Sequence, residues 1–313
     1  MSSTPALPFC CVDIAVCTFR RPHLEQTLRS LAAIAVPDDC SVRIIVADND
    51  IAPSAEALVE RLRPEMPFAI DYVHCPASNI SIARNACLDH SRGEFLAFID
   101  DDETAAPDWL VRLMEQMNAS DADVVLGPVE AQYGRPAPDW MRQADFHSTR
   151  PVWVGGEIRT GYTCNVLLRL TASALAGRRF SLALGKTGGE DTEFFALANR
   201  AGTRIAFAPD AWVYEPVIAS RATLGWLARR RFRMGQTHGR LLARQAEGQG
   251  RPAQVGLAAA KALFCAAASV VTVFSPRRRY GYGLRAILHA GVVSGLMGVR
   301  EIEQYGLAEA RTR

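Results

Sequence analysis

Five short apolar runs, VDIAVC, SVRIIVAD, AIDYVHC, EFLAFID and ADVVLG, alternate with helix-patterned segments between residue 12 and about residue 126. Runs this short, rich in Val, Ile and Phe, read as buried strands. Between them Leu24, Leu28 and Leu31 recur at helical spacing behind Pro22, and further helices are expected near Pro53, near Ser81 and at Pro107. Proline is tolerated in a first helical turn because the donor it lacks has no partner there anyway. Strand, helix, strand repeated this often predicts an α/β fold: a mainly parallel sheet flanked by helices. The chain has 313 residues, 49% of them hydrophobic and 22% charged, enough for a substantial core, which excludes a disordered tail or a collagen-like repeat. Its 8 cysteines show no CxxC pair, and no secretory leader is seen, so reduced thiols in cytoplasm are expected.

In such sheets ligands bind outside the carboxyl ends of the strands, so the polar residues that end each run are the ones to inspect. These are Thr18 with Arg20 and Arg21, then Asp48 to Asp50, then Asn79 ahead of SIARN, and finally Asp100, Asp101, Asp102 and Glu103. Adjacent carboxylates raise one another's pKa unless a cation sits among them. A divalent metal such as Mg²⁺ or Mn²⁺ meets that need, with Asp100 and Asp102 as the pair that shares one side of an extended segment. Residues 128 to 160 lack a period and read as a loop or lid, followed by a strand at TCNVLLR. A Gly-rich turn, GKTGGED, then leads into a helix from Thr192 to Arg200, with short strands around Ile205 and Val213. Asp191 could cap that helix, or could be a general base where glycines let substrate approach the backbone.

Several chemistries are excluded. GKT at Gly185 to Thr187 is no phosphate loop, because Phe180 stands where its first glycine is required. No GxGxxG follows a strand, no GxSxG occurs, and the histidines have no ligand-like spacing.

The charge is split along the chain. Residues to Ser220 carry 19 Lys/Arg and 29 Asp/Glu, net −10, whereas 221–313 carry 16 and 4, net +12. This predicts a catalytic unit over 1–220 and a basic, apolar, helical C-terminal region over 221–313. The apolar stretches Ala253 to Phe274 and Ala286 to Val299 have uninterrupted lengths short of the roughly 20 residues that span a bilayer. With SPRRRYGYGLR between them, they are expected to lie in a membrane interface with arginines on anionic head groups. Packing on the catalytic unit or on a second protomer is the alternative, and nucleic acid is not the expected partner.

VCTFRRP, IIVADND, NISIARN, FLAFIDDDETAAPDWL and GGEDTEFFALANRAG, in that order, resemble the inverting family 2 glycosyltransferases of the GT-A fold. The later segment VYEPVIASRATLGWLARRRFRMGQTHGR is similar to enzymes of bacterial exopolysaccharide assembly of the succinoglycan type. The resemblance implies that Thr18, Asp48, Asn79 and Arg84 serve the nucleotide, that Asp100 lies near ribose and metal, and that Asp102 ligates the metal. It makes Asp191 the catalytic base, with Glu190 helping to hold the acceptor. The family's metal-ligating histidine is missing from WVYEPV, which leaves Glu215 as its substitute.

The expected activity is metal-dependent, inverting transfer of a sugar from a nucleotide-diphosphate donor, a UDP-sugar, to a glycan or lipid-linked acceptor. The expected location is the cytoplasmic face of the inner membrane, peripheral or monotopic, with a homo-oligomer allowed. A nucleotidyltransferase should carry a Gly-rich, Lys-containing loop after its first strand, which CTFRRP is not. A non-catalytic carbohydrate-binding or scaffold protein would not need the acid pairs.

Overall fold

The computed structural model describes residues 10–135, 137–245 and 250–300. Residues 1–9 and 301–313, at the outer ends of the two expected regions, lie outside the described residues. The first half follows the expected alternation: β1 (Cys10–Thr18), α1 (Leu24–Ala32), β2 (Cys40–Asp48), α2 (Glu56–Leu62), β3 (Ala69–His74), α3 (Ile80–His90) and β4 (Phe95–Asp100). Next come β5 (Thr104–Ala105), α4 (Trp109–Ser120), β6 (Val124–Leu126), β7 (Val129–Tyr133), α5 (Asp139–Ala144), β8 (Trp153–Val154), β9 (Glu157–Ile158) and β10 (Asn165–Arg169). The chain continues through α6 (Glu190–Arg200), β11 (Ile205–Phe207), β12 (Val213–Val217), α7 (Leu224–Gln245), α8 (Arg251–Val271) and α9 (Pro276–Leu296). The stretch expected to be an irregular lid therefore contains β7, α5 and the β8–β9 hairpin, elements too short to show a period.

The central sheet has the order β11-β6-β10-β4-β1-β2-β3. All its pairs are parallel except those of β10, which runs antiparallel to β4 and β6. Strand direction is decided by the connections, which hydrophobic pattern does not encode. Alternate residues of β1 feed opposite layers. Val12, Ile14 and Val16 pack with Leu24, Leu28, Leu31, Leu110 and Leu113, while Ala15 packs with Ala83, Cys87, Phe194 and Phe195. Burial on both faces is why these strands read as continuous apolar runs.

Register then lines up the strand ends. Thr18 lies opposite Asp48, Asp48 opposite His74, and Cys17 opposite Asp100. The start of the same β1–β2 ladder sets Cys10 opposite Cys40, and the two are joined as a disulfide. This corrects the expectation of eight reduced thiols; Cys11, Cys17, Cys75, Cys87, Cys164 and Cys265 are free.

The C-terminal helices pack on one another and on the sheet domain. Trp226 of α7 stacks on His147 with ring centroids 5.1 Å apart, and Arg231 donates to Phe146 O at 3.3 Å. Helices α7 and α9 cross at backbone contact. A Cβ on Gly235 would lie 2.0 Å from Leu288 O, and one on Gly291 2.0 Å from Phe232 O. Helix α8 is the only described helix long and apolar enough to cross a membrane by length and composition, with 11% of its apolar window buried. At 21 residues its helical length exceeds its uninterrupted apolar run.

Candidate active site

A second sheet, β5-β12-β7, completes the site. β5 begins directly after Glu103 and pairs antiparallel with β12, Thr104 opposite Tyr214. That register carries Glu215, 112 positions beyond Glu103 in numbering, to the acidic turn that ends β4. Across the site, α6 enters through Gly188 and Gly189, both at positive φ (86° and 85°), a region costly for residues with a Cβ. Gly189 is the N-cap, so Asp191 does not cap the helix; with Glu190 and Glu193 it lies in the first turn, where the helix dipole favours acids.

The strand-end acids are held differently from one another. The chain leaves extended geometry after Asp100, which corrects the simple alternation expected for this run. Asp101 is buried and accepts from Phe19 N at 3.3 Å, and Asp102 faces Arg221 Nη2 at 3.3 Å and Arg21 Nη2 at 3.5 Å. Burial pushes Asp100 up to about 6, opposed by Arg84 and reinforced by the charges of Asp102 and Asp191. Burial likewise raises Asp101 to about 7, against Arg21. Glu103 is raised as well, first by burial and then by Asp100 and Glu215. Glu215 is raised by burial and by Asp102, and Arg221 opposes this from 2.6 Å. Asp100, Asp102, Glu215 and Asp191 therefore share one electrostatic neighbourhood, although they come from three separate parts of the chain.

The residues expected at the nucleotide have protein partners of their own. Asp48, fully buried, accepts at Oδ1 from Asp50 N (3.0 Å) and at Oδ2 from Ala55 N and Tyr72 Oη (both 2.8 Å). Asn79 caps α3 by accepting from Ser81 N at 3.1 Å, and its amide donates to Leu182 O at 3.0 Å. Thr18 is buried at the end of β1. Arg84 forms a buried ion pair with Glu190 and lies 5.7 Å from the centroid of Phe180. Burial raises the Glu190 carboxyl, opposed by Arg84 and assisted by Asp191. Asp191 itself accepts at Oδ1 from Thr192 N at 2.6 Å and Thr192 Oγ1 at 3.2 Å.

Sequence reasoning marks Asp50 among the strand-end residues without giving it a partner, which is Arg20 Nε at 2.8 Å, and gives Arg221 no role. For Arg20 and Asp50 the cue is their place, each two residues beyond a strand end, and the fold sets those ends, Thr18 and Asp48, in register. Among the described residues, no three carboxylate, histidine or cysteine side chains converge closely enough to hold one metal ion. The donor set nonetheless suits a cation: two carboxylates, Asp102 and Glu215, already share one, the guanidinium of Arg221.

The family model described as glycosyl transferase family 2 matches residues 13–175. The succinoglycan biosynthesis protein ExoM of Rhizobium meliloti is 63% identical over 298 residues, covering 95% of this chain and 96% of that protein. A glucosyl-dolichyl phosphate glucuronosyltransferase of Haloferax volcanii is 22% identical over 72% of this chain and 75% of its own length. Among solved structures, the mannosyltransferase PcManGT from Pyrobaculum calidifontis, in complex with GDP-Man and Mn²⁺, aligns with a TM-score of 0.59 at 20% identity, covering 93% of this chain and 88% of that one. Residues 1–349 of S. aureus TarS in complex with UDP-GlcNAc align with a TM-score of 0.53 at 16% identity, over 94% and 98%.

Proposed function

The chain belongs to glycosyl transferase family 2, and on that premise we propose that it transfers one sugar, with inversion, from a nucleotide-diphosphate donor to a lipid-linked glycan in bacterial exopolysaccharide assembly. The observation that carries this reading is the gathering of Asp100, Asp102, Glu215 and Asp191 into one electrostatic neighbourhood. The similarity to ExoM supports a succinoglycan-type polysaccharide, and UDP-sugars are the donors to test first.

Asp102 and Glu215, with Asp100 beside them, are the residues that would hold a divalent cation. Such an ion, when bound, supplies positive charge to the departing diphosphate. The other tasks fall to this chain's own side chains. An acceptor hydroxyl is a weak nucleophile until a positioned carboxylate takes its proton, and Asp191 is that carboxylate in this proposal. Glu190, paired with Arg84 and an electrostatic neighbour of Asp191, helps to hold the acceptor in this proposal. Arg20 and Arg21, next to Thr18, supply further positive charge near the nucleotide. Attack from the base side with departure on the opposite side is a single in-line displacement, which inverts the anomeric carbon.

The acceptor's lipid places the enzyme at the cytoplasmic face of the inner membrane in this reading. Leu257, Leu263, Phe264, Val270 and Val271 are exposed along α8, and Phe274 beyond it is 97% exposed, with Arg277, Arg278 and Arg279 following. An apolar face beside arginines suits an anionic bilayer surface. Helix α9, held against the arginine-rich α7 by its glycines, favours monotopic rather than spanning attachment.

The purified full chain, offered a panel of nucleotide sugars with and without Mn²⁺ or Mg²⁺, should bind and consume one of them in a metal-dependent way. If none is bound or consumed, and Asp102→Ala changes nothing, the proposal fails.

A further inference from the structure

The guanidinium of Arg221 joins a carboxylate of β12 to one in the turn after β4: Nη1 lies 2.6 Å from Glu215 Oε1 and Nη2 lies 3.3 Å from Asp102 Oδ2. A planar fork facing two carboxylates is the arrangement for which guanidinium is suited and ammonium is not. The main chain of the residue is fixed independently. Arg221 N donates to Ile218 O at 2.9 Å, and Arg221 O accepts from His147 Nε2 at 3.0 Å. His147 is in turn stacked on Trp226 and bonded to the Tyr133 hydroxyl. With its backbone held this way, the side chain can leave the carboxylates by rotating about its own bonds, and at 21% exposure it has room to do so.

We infer that Arg221 is the resident counter-ion of the Asp102–Glu215 pair and that a divalent cation must displace it to bind there. The inference rests on the metal reading proposed above. A guanidinium and a divalent ion repel each other and cannot both hold the same two carboxylates. Metal alone therefore meets resistance in this chain. A nucleoside diphosphate relieves it, because its anionic groups give the freed guanidinium a new partner beside the ion. Arg221 thus couples metal binding to donor binding, and acts as a positioning residue whose effect reaches the reaction through the ion.

The test is a Mn²⁺ titration of the full chain, with free ion followed by electron paramagnetic resonance, with and without UDP. Wild-type protein should bind Mn²⁺ weakly alone and much more tightly with UDP. Arg221→Gln should bind Mn²⁺ alone at least about tenfold tighter, with the UDP enhancement reduced, and Arg221→Lys, which keeps the charge without the fork, should fall between the two. Arg221→Met keeps the apolar stem and serves the same purpose if the glutamine variant does not fold. Equal Mn²⁺ affinity in wild type and Arg221→Gln, weakened in both by Asp102→Asn, would overturn the role of Arg221 and leave the metal reading standing. Mn²⁺ binding indifferent to Asp102→Asn in either background would remove the metal reading and this inference together.

Discussion

Arg84 and Glu190, 106 residues apart, form a buried ion pair that ties α3 to the first turn of α6. Their side chains are 7% and 3% exposed, so neither charge has water to fall back on. Among the described residues Glu190 Oε2 has no hydrogen-bond partner.

Removing one partner should therefore be costly. Arg84→Met is expected to lower unfolding free energy by about 3–5 kcal/mol, and Arg84→Met with Glu190→Met to recover part of it, because the double variant no longer buries the Glu190 charge unpaired, although Asp100 still loses Arg84. Urea denaturation of both variants checks this, and a double variant no more stable than the single would contradict it.

Among the described residues the hydrogen-bond partners of Asp191 are local, so its loss should spare the fold. Asp191→Asn is expected to reduce kcat by about 10²–10⁴ while donor binding and Tm stay near wild type. An asparagine variant with undiminished turnover would remove the proposed base.

His147 carries a pH signature. Burial holds its imidazole down at about 4, with Arg230 and Arg221 contributing. The unfolded chain titrates near 6.5. The neutral ring therefore contributes stability that is fully present above about pH 6.5 and is lost as pH falls toward about 4. Unfolding free energy of wild type minus that of His147→Gln should fall across this window by at most about 1.4 kcal/mol per pH unit. A difference independent of pH would show that His147 does not titrate as described.

The α7–α9 crossing tolerates no side chain at its closest point. Gly291→Ala, whose Cβ would lie 2.0 Å from Phe232 O, should cost about 1–3 kcal/mol through overpacking. Gly281→Ala, in open space on the same helix, should be neutral or stabilising by up to about 1 kcal/mol. Thermal unfolding of the two variants side by side decides it, since helix propensity alone predicts the same sign for both.

The exposed face of α8 is the remaining test. Wild type should float with vesicles containing phosphatidylglycerol, less so at high salt, whereas Phe264→Glu with Phe274→Glu should stay in the soluble fraction with an unchanged Tm. If the double variant instead turns a dimer into a monomer by light scattering and flotation is unaffected, the face is a protein interface.

Much of this was legible in the chain. The β1–β4 runs appear where the apolar pattern places them, because strands buried on both faces must be apolar throughout. Asp100 to Glu103 are marked by their place at the end of such a run, where acids are costly without a purpose, and Asp191 by the glycines that precede it. Sequence alone also determined the opposition between an acidic body and a basic tail. Only the tertiary structure decided who faces whom. It ran β10 antiparallel, set Cys10 against Cys40, engaged Asp48 and Asn79 with backbone groups, and brought Arg221 to Asp102 across 119 residues of chain. Hydrophobic period fixes which side of an element is buried, whereas the partner of a charge is set by strand order and register, and these depend on contacts between segments that no local spacing specifies.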